Sequence, residues 1–588
     1  MQVTKTIIST LAGLSLLISW LIPHHYNPWL TSDSEFLAFI AVLLLSPLLF
    51  NAKIALPRIS IFIALCALIP IIQWAFGVIF FLGDAVIVSS YLLGLATAIM
   101  LGHNFAANEN ARNHAYLGLA SILIIGSVIS TWLAFRQWLQ FDSGFNSFSA
   151  YIPPNSGYRP FANFGQPNNL ATLLCMGLAS VWYLFERHLI RRIAGSLLAV
   201  FLICGVTLTQ SRTPWVGSFF VLVWWAWKSR FISPRLSWLS LIAWITLYVV
   251  LILSLPTVTD YLRVGEVDLA GHAQAFERLG LWQQFSLAVI DGPWWGYGWN
   301  QVSVAQLAMS NVFPVAQMTN SSHNILLDLL VWNGPIVGMI MISVIGVWIC
   351  RLGYSARNQE TIFGLMAVGF VLIHGMLEYP LCYAYFLLPV GFLLGLSNGE
   401  LAQPITSPLL RFKWATIPNV TLPHVAFASF LVLSAGCIAW IGQEYSNLDK
   451  NYRAQKVVEQ NTAKPLSTEA HAILLTQLRD RLRLKHSDPA ARMTAQQLDW
   501  TRNVAYRYPQ IANLYHYAAA LALNNQPTKA QLELTNLRAL YGETVYTNAL
   551  NQLEALEKQT STLSTPLMQN QKPCRNHRKH THCHSVIQ

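Results

Sequence analysis

Apolar residues run along this chain in long blocks divided by short polar turns, at 6–22, 35–52, 59–82, 84–102, 115–135, 168–185, 193–210, 214–229, 236–255, 323–350, 361–377, 380–397 and 425–442. A helix needs about 20 apolar residues to cross a bilayer. The pattern therefore predicts an all-α fold, a polytopic membrane bundle of about 13 transmembrane helices. Three polar interruptions on one side stand out: 136–169, which ends RPFANFGQPNN; the hairpin tip TQSRTPW; and a large loop at 255–322. That loop reads as an amphipathic helix over 270–290, with Arg278 and Trp282 on one face, followed by the turn-rich PWWGYGWNQ. After 442 the pattern changes to charged residues at helical spacing. NLYHYAAALALNNQPTKAQLELTNLRALYG has small residues at a helix contact and Pro at a second helix start, the signature of a tetratricopeptide-like hairpin. The expected organisation is a transmembrane domain over 1–442, a soluble helical domain of about six short helices over 443–558, and a disordered tail over 559–588.

Composition strengthens this reading. The chain is 54% hydrophobic and only 11% charged, whereas soluble domains carry about 25% charged residues. The first apolar stretch follows Lys5 without a small-residue cleavage site, so it reads as a retained helix rather than a signal peptide. The net charge of +11 is a signal of topology, not of a nucleic-acid partner. Every second loop is basic: Lys53 and Arg58; Arg112; Arg187, Arg191 and Arg192; Lys228, Arg230 and Arg235; Arg351 and Arg357; Arg411 and Lys413. These loops face the cytoplasm, which puts the N-terminus inside and, with an odd number of spans, the C-terminus in the periplasm of a bacterial inner membrane. Six cysteines fall in apolar segments and two, Cys574 and Cys583, in the tail, so they read as small hydrophobes rather than a disulfide framework.

Several chemistries lack their residues. There is no GxxxxGK[ST] phosphate loop and no Asp-x-Asp pair, and Trp294–Trp295 is not followed by Asp. No cofactor and no metal is expected. The terminal HRKHTHCHS has metal-ligand residue types, but a solvated tail is the simpler reading.

The stretch that can carry chemistry is 319–338, TNSSHNILLDLLVWNGPIVG, where a polar run stops and an apolar helix begins. Ser321 or Ser322 can cap that helix, which puts His323 at its N-terminus on the water–lipid boundary. The helix dipole there favours the neutral imidazole, a form able to take a proton from an alcohol. A capping or surface histidine is the plainer alternative. Arg212, at a hairpin tip between apolar helices, weighs equally as an interface residue and as a substrate ligand. Arg159 and Arg278 read singly as structural. Together the three guanidiniums suit a diphosphate, because Arg binds phosphate oxygens in a bidentate fork. His374 and Glu378 form a second polar pair, with Glu378 read as an interfacial break before Pro380.

Five stretches carry a family resemblance: RPFANFGQPNNLA (159–171), TQSRTPWVG (209–217), GYGWNQ (296–301), SSHNILLDLLVWNGP (321–335) and HGMLEYPL (374–381). In this order the chain resembles the bacterial PglL-type protein O-oligosaccharyltransferases of the O-antigen ligase superfamily. Asn169 departs from the histidine expected there. The resemblance implies en bloc transfer of a preassembled oligosaccharide from undecaprenyl diphosphate to Ser or Thr of a periplasmic protein, a type IV pilin among the candidates, with membrane lipids as surroundings. It implies that His323 activates the acceptor hydroxyl and that Arg212, with Arg159 and Arg278, holds the pyrophosphate. Gln166 and Tyr379 match functional positions of unspecified role. Two alternatives compete: an O-antigen ligase acting on lipid A core, to which a glycan polymerase is related, and a polyprenyl-lipid flippase or transporter.

Overall fold

The computed structural model describes residues 2–141, 159–264, 267, 276–401, 420–461 and 471–559. Each predicted apolar block is helical over most of its length. The first part of the chain forms α1 (Gln2–Leu21), α2 (Ser32–Leu45), α3 (Arg58–Cys66), α4 (Leu68–Ala75), α5 (Leu82–Phe105), α6 (Glu109–Trp138), α7 (Pro167–Glu186), α8 (Arg192–Leu208), α9 (Thr213–Lys228) and α10 (Trp238–Leu262). It continues through α11 (Phe276–Asp291), α12 (Val302–Met309), α13 (Ile325–Ser355), α14 (Gln359–Gly375), α15 (Ala384–Leu401) and α16 (His424–Asn461). Among the described residues, 10 helical stretches are long and apolar enough to cross a membrane, α3 and α4 counting as one. Helices α8 and α14, at 17 residues, and α9, at 16, are shorter.

Two boundaries differ from the sequence reading for physical reasons. The block at 59–82 divides at Ala67, three residues before Pro70, which has no N–H to continue the ladder. Helix α10 carries on through Pro256 to Leu262, so the large loop starts at Arg263 and not at 255. Besides helices, β1 (Ile54–Leu56) pairs antiparallel with β2 (Val420–Leu422), Ala55 opposite Thr421.

Helix α13 is broken in its apolar part, and a motif taken from the large loop repairs the break. Gly334 has φ 74° and is followed by Pro335, which frees the carbonyls of the preceding turn. Tyr297 N–H donates to Val331 O at 2.8 Å and Gly298 N–H to Trp332 O at 3.1 Å. Gln73 on α4 donates to Trp332 O at 2.8 Å, and Trp299 Nε1 donates to the Asn333 side chain at 2.8 Å. A Cβ on Gly334 would lie 1.9 Å from Trp294 O, and one on Gly296 would lie 2.5 Å from Gly334 N, so both positions require glycine. GYGWNQ is thus a patch on an interrupted helix: irregular backbone at this depth persists only when its polar groups are satisfied.

The chain divides into two compact units. One comprises Met1–Met309 and Thr319–Arg483, the other Ser310–Met318 and the chain from Leu484 onward. The division therefore falls later than the expected 443. The reason is that α16 continues past its apolar part to Asn461, and the buried Glu444 carboxylate on it accepts the amides of Ile473, Leu474 and Leu475. The second unit carries α17 from Leu484, α18 (Ala495–Arg507), α19 (Ile511–Leu523), α20 (Pro527–Tyr541) and α21 (Glu543–Gln559), α17 itself being Thr476–Lys485. As expected, α19 and α20 are the alanine-faced hairpin: Ala518, Ala519, Ala520 and Ala522 are fully buried, and Pro527 opens α20. Within this unit, Ser310 and Asn311 bond the Asn536 side chain at 3.0 and 2.7 Å. The tail from 560, with Cys574, Cys583 and HRKHTHCHS, lies outside the described residues.

Candidate active site

The site is built on the turn before α13. Asn324, not a serine, caps that helix, its side chain accepting from the Leu326 and Leu327 amides. His323 lies one residue before the cap with φ 57°, a left-handed conformation that costs a non-glycine residue about 1–3 kcal/mol. A buried carboxylate one turn into the helix holds the turn in place. Asp328 accepts from Ser321 Oγ at 2.7 Å and from Ser322 N–H at 2.7 Å, and Ser321 Oγ in turn accepts the His323 N–H at 3.0 Å. Trp282 on α11 donates to Ser322 O at 2.9 Å. The expected face of the amphipathic helix, Arg278 with Trp282, therefore points at this turn.

The charge that addresses the His323 ring is the Glu378 carboxylate rather than a helix end. His323 Nδ1 lies 2.6 Å from Glu378 Oε2. At that distance from a carboxylate Nδ1 carries a proton, so in the neutral ring the lone pair is on Nε2. Nε2 lies 3.3 Å from Thr319 Oγ1, and the Thr319 hydroxyl proton is donated to Ser321 O at 2.7 Å. Nε2 can therefore accept a proton from another hydroxyl, and Glu378 faces the positive charge that would develop on the ring.

Glu378 is only 5% exposed and is the hub of the site. Its other oxygen, Oε1, pairs with Arg278 and accepts from Asn168 Nδ2 at 3.3 Å. Asn168 accepts the Ser211 hydroxyl at 2.8 Å, which ties in the α8–α9 hairpin. Burial alone would raise the Glu378 carboxyl, but the His323 hydrogen bond and the His323 and Arg278 charges outweigh it and hold it below its ordinary 4.5. Arg159 donates to Gln210 O at 3.1 Å on the same hairpin, one residue from Ser211. Burial first, and then the Arg212 and Arg278 charges, push its guanidinium below its ordinary value, with Glu378 opposing. Arg212 sits at the N-cap position of α9 and is partly exposed. Arg278 thus pairs with the Glu378 carboxylate, Arg159 feels it at longer range, and the Arg212 charge bears on Arg159.

The other sequence candidates sort by exposure. The Tyr379 ring packs 5.6 Å from the His323 ring, centroid to centroid, and burial with the neighbouring Glu378 carboxylate raises its phenol. Gln166 precedes Pro167 as the N-cap of α7 and is partly exposed, without a capping bond of its own. His374 is 0% exposed, with Nδ1 2.8 Å from Thr172 Oγ1, so it supports the floor and has no surface for a ligand to touch. Asn169, also buried, bonds the Tyr385 hydroxyl at 3.3 Å.

Comparison with known proteins gives this arrangement its context. The chain matches the family described as "Protein glycosylation ligase" over residues 160–185, "O-Antigen ligase" over 197–343, and "Virulence factor membrane-bound polymerase, C-terminal" over 362–554. A general O-oligosaccharyltransferase of Acinetobacter baylyi (strain ATCC 33305 / BD413 / ADP1) is 32% identical over 574 residues, 95% of this chain and 97% of the relative. The chain belongs to the bacterial O-oligosaccharyltransferase family. A ComP-specific O-oligosaccharyltransferase of the same organism is 28% identical over 519 residues, 85% of this chain and 88% of that one.

In this O-oligosaccharyltransferase the three matched stretches each contribute to the cluster: Asn168; Arg212, Arg278 and His323; Glu378 and Tyr379. Sequence reasoning gave Glu378 a structural part and did not single out Asn168, Ser211 or Asp328. The signal for the two acids was present: each is a carboxylate at the edge of an apolar helix, where burial is costly without a partner. Asn168 and Ser211 gave no signal of their own, being ordinary turn residues in sequence.

Proposed function

We propose that this enzyme transfers a preassembled oligosaccharide en bloc from undecaprenyl diphosphate to a serine or threonine of an acceptor protein. The acceptor hydroxyl oxygen bonds to the first sugar carbon, the bond from that carbon to the diphosphate oxygen breaks, and the hydroxyl proton passes to His323 Nε2. Glu378 orients the ring and balances its charge. Diphosphate leaves as a stable anion, so the departing side needs positive charge more than an acid, and Arg212 with Arg159 supplies it. Arg278 acts partly through Glu378, because the two are paired. The observation that carries this reading is the pairing of His323 Nδ1 with Glu378 at 2.6 Å, which puts the lone pair of the neutral ring on Nε2, in a cluster where Arg159 feels the Arg212 and Arg278 charges. The relatives' names, a general and a ComP-specific O-oligosaccharyltransferase, support protein acceptors.

We place the enzyme in the bacterial inner membrane, N-terminus inside and C-terminus in the periplasm, from the basic loops. Purified enzyme with lipid-linked oligosaccharide and a serine-containing acceptor peptide should form glycopeptide. No product from the wild type sinks the reading, as would product formed only by whole membranes, which suits a carrier. For acceptor choice we favour periplasmic proteins, a type IV pilin among them. Intact masses of secreted and pilus proteins with and without the gene should differ by the glycan. The match to the O-antigen ligase family keeps lipid A core as a second acceptor reading. Altered lipopolysaccharide with unchanged protein masses in the deletion strain would favour it.

A further inference from the structure

Away from the polar cluster, α7, α8, α9, α10 and α14 enclose a cavity of about 400 Å³. It starts at Arg192 and Ser196 on the first turns of α8, runs past Ala199, and reaches Pro214 and Phe370. The wall is otherwise almost wholly apolar, and a cavity of that kind does not hold water well. One exception is Tyr248, 5% exposed, whose buried hydroxyl lines the wall with no hydrogen-bond partner. The two ends differ in chemistry. Arg191 and Arg192 are exposed beside the first, and among the described residues neither has an ion-pair partner, whereas nearby Arg187 pairs with Glu360 at 2.8 Å. Beyond the second end, one helical turn past Cys175 and Phe370, the Thr172–His374 hydrogen bond spans α7 and α14.

We propose that this cavity binds an acyl chain of an anionic phospholipid whose phosphate is held by Arg191 and Arg192. Guanidiniums take phosphate oxygens in a bidentate fork, and basic mouths of pockets between membrane helices on the cytoplasmic side bind acidic headgroups. A flexible hydrocarbon fills the apolar space. The donor's polyprenyl tail is the less suitable occupant, because the polar mouth lies at the end remote from Arg212. The inference rests on the loop between α7 and α8 being cytoplasmic and not on the transfer chemistry, so its failure leaves the proposed reaction untouched.

The test is native mass spectrometry of the full-length protein taken from nanodiscs of phosphatidylglycerol or of phosphatidylcholine. The wild type should retain a phosphatidylglycerol molecule with a preference on the order of 10-fold, in line with two arginines near a phosphate. The pair Arg191→Glu and Arg192→Glu should lose that preference, and Ala199→Trp, which fills the cavity, should lose the bound lipid with either headgroup. Melting profile and glycopeptide formation show whether each variant is folded. If Ala199→Trp does not fold, the exposed arginine pair still decides. Equal retention of both lipids, retention unchanged in the arginine pair, or a polyprenyl lipid as the retained molecule overturns the proposal.

Discussion

The two ends of α7 make an instructive pair. At its C-terminal end polar and ionic groups hold neighbouring helices together: Glu186 accepts the Arg235 and Leu236 amides at 2.7 and 3.1 Å, and Arg187 pairs with Glu360 at 2.8 Å. Nearby Arg112 pairs with Glu400 at 3.4 Å, and the fully buried Lys228 donates to Tyr354 O and Ala356 O, closing the end of α13. At the N-terminal end, some 30 Å away for a helix of this length, Asn168 joins a cluster in which one carboxylate, Glu378, pairs with Arg278, acts on Arg159 and holds the His323 ring. Balanced ionic groups staple helices. A buried carboxylate that grips a titratable ring as well as a guanidinium does more than staple, so the partners of a charged residue separate structure from chemistry better than the number of charged residues does.

Removing the base should break the comparison most sharply. His323→Ala should lower glycopeptide formation by about 10²–10⁴-fold with normal protein level, and Glu378→Gln should follow it closely because the ring loses both its tautomer and its counter-charge. Full activity in either variant would end the mechanism. Arg212→Ala should cost on the order of 10²-fold or more, with Arg212→Lys recovering only part because it keeps the charge but not the fork. Gly334→Ala tests the helix repair instead. A Cβ there meets Trp294 O at 1.9 Å, so the variant should lose about 1–3 kcal/mol of stability, read as a lower melting temperature.

The pH dependence sharpens the contrast further. The Glu378 carboxyl is held below 4.5 in the folded protein, so its contribution to stability is complete above 4.5 and is lost as pH falls through the lower folded value. Acid melting curves of wild type and Glu378→Gln should converge below that window and separate above it. Arg187→Ala should show the smallest effect. Its pair is partly exposed and worth at most about 1 kcal/mol, and glycopeptide formation should stay at the wild-type level.

Much of this protein is legible before folding. Spans follow from apolar length, since a bilayer leaves a helix no other way to satisfy its backbone. The α19–α20 hairpin follows from its small-residue face and Pro527. His323 and the three arginines could be nominated because charged or titratable groups beside apolar helices demand a reason. The roles of GYGWNQ and Glu378 could not. The motif reads as chemistry yet mends a gap in α13, and Glu378 reads as the frayed end of a helix yet joins His323 to Arg278.

What the amino-acid sequence determined by itself is therefore local: which segments enter the membrane, where helices must break, and which side chains are costly enough to be suspected. Partnership was decided only by tertiary structure. Arg159, Asn168, Ser211, Arg278, His323 and Glu378 come from six separate turns or helix ends, and hydrogen bonds act over about 3 Å whatever the distance along the chain. Packing of the helices alone brings those ends within that reach.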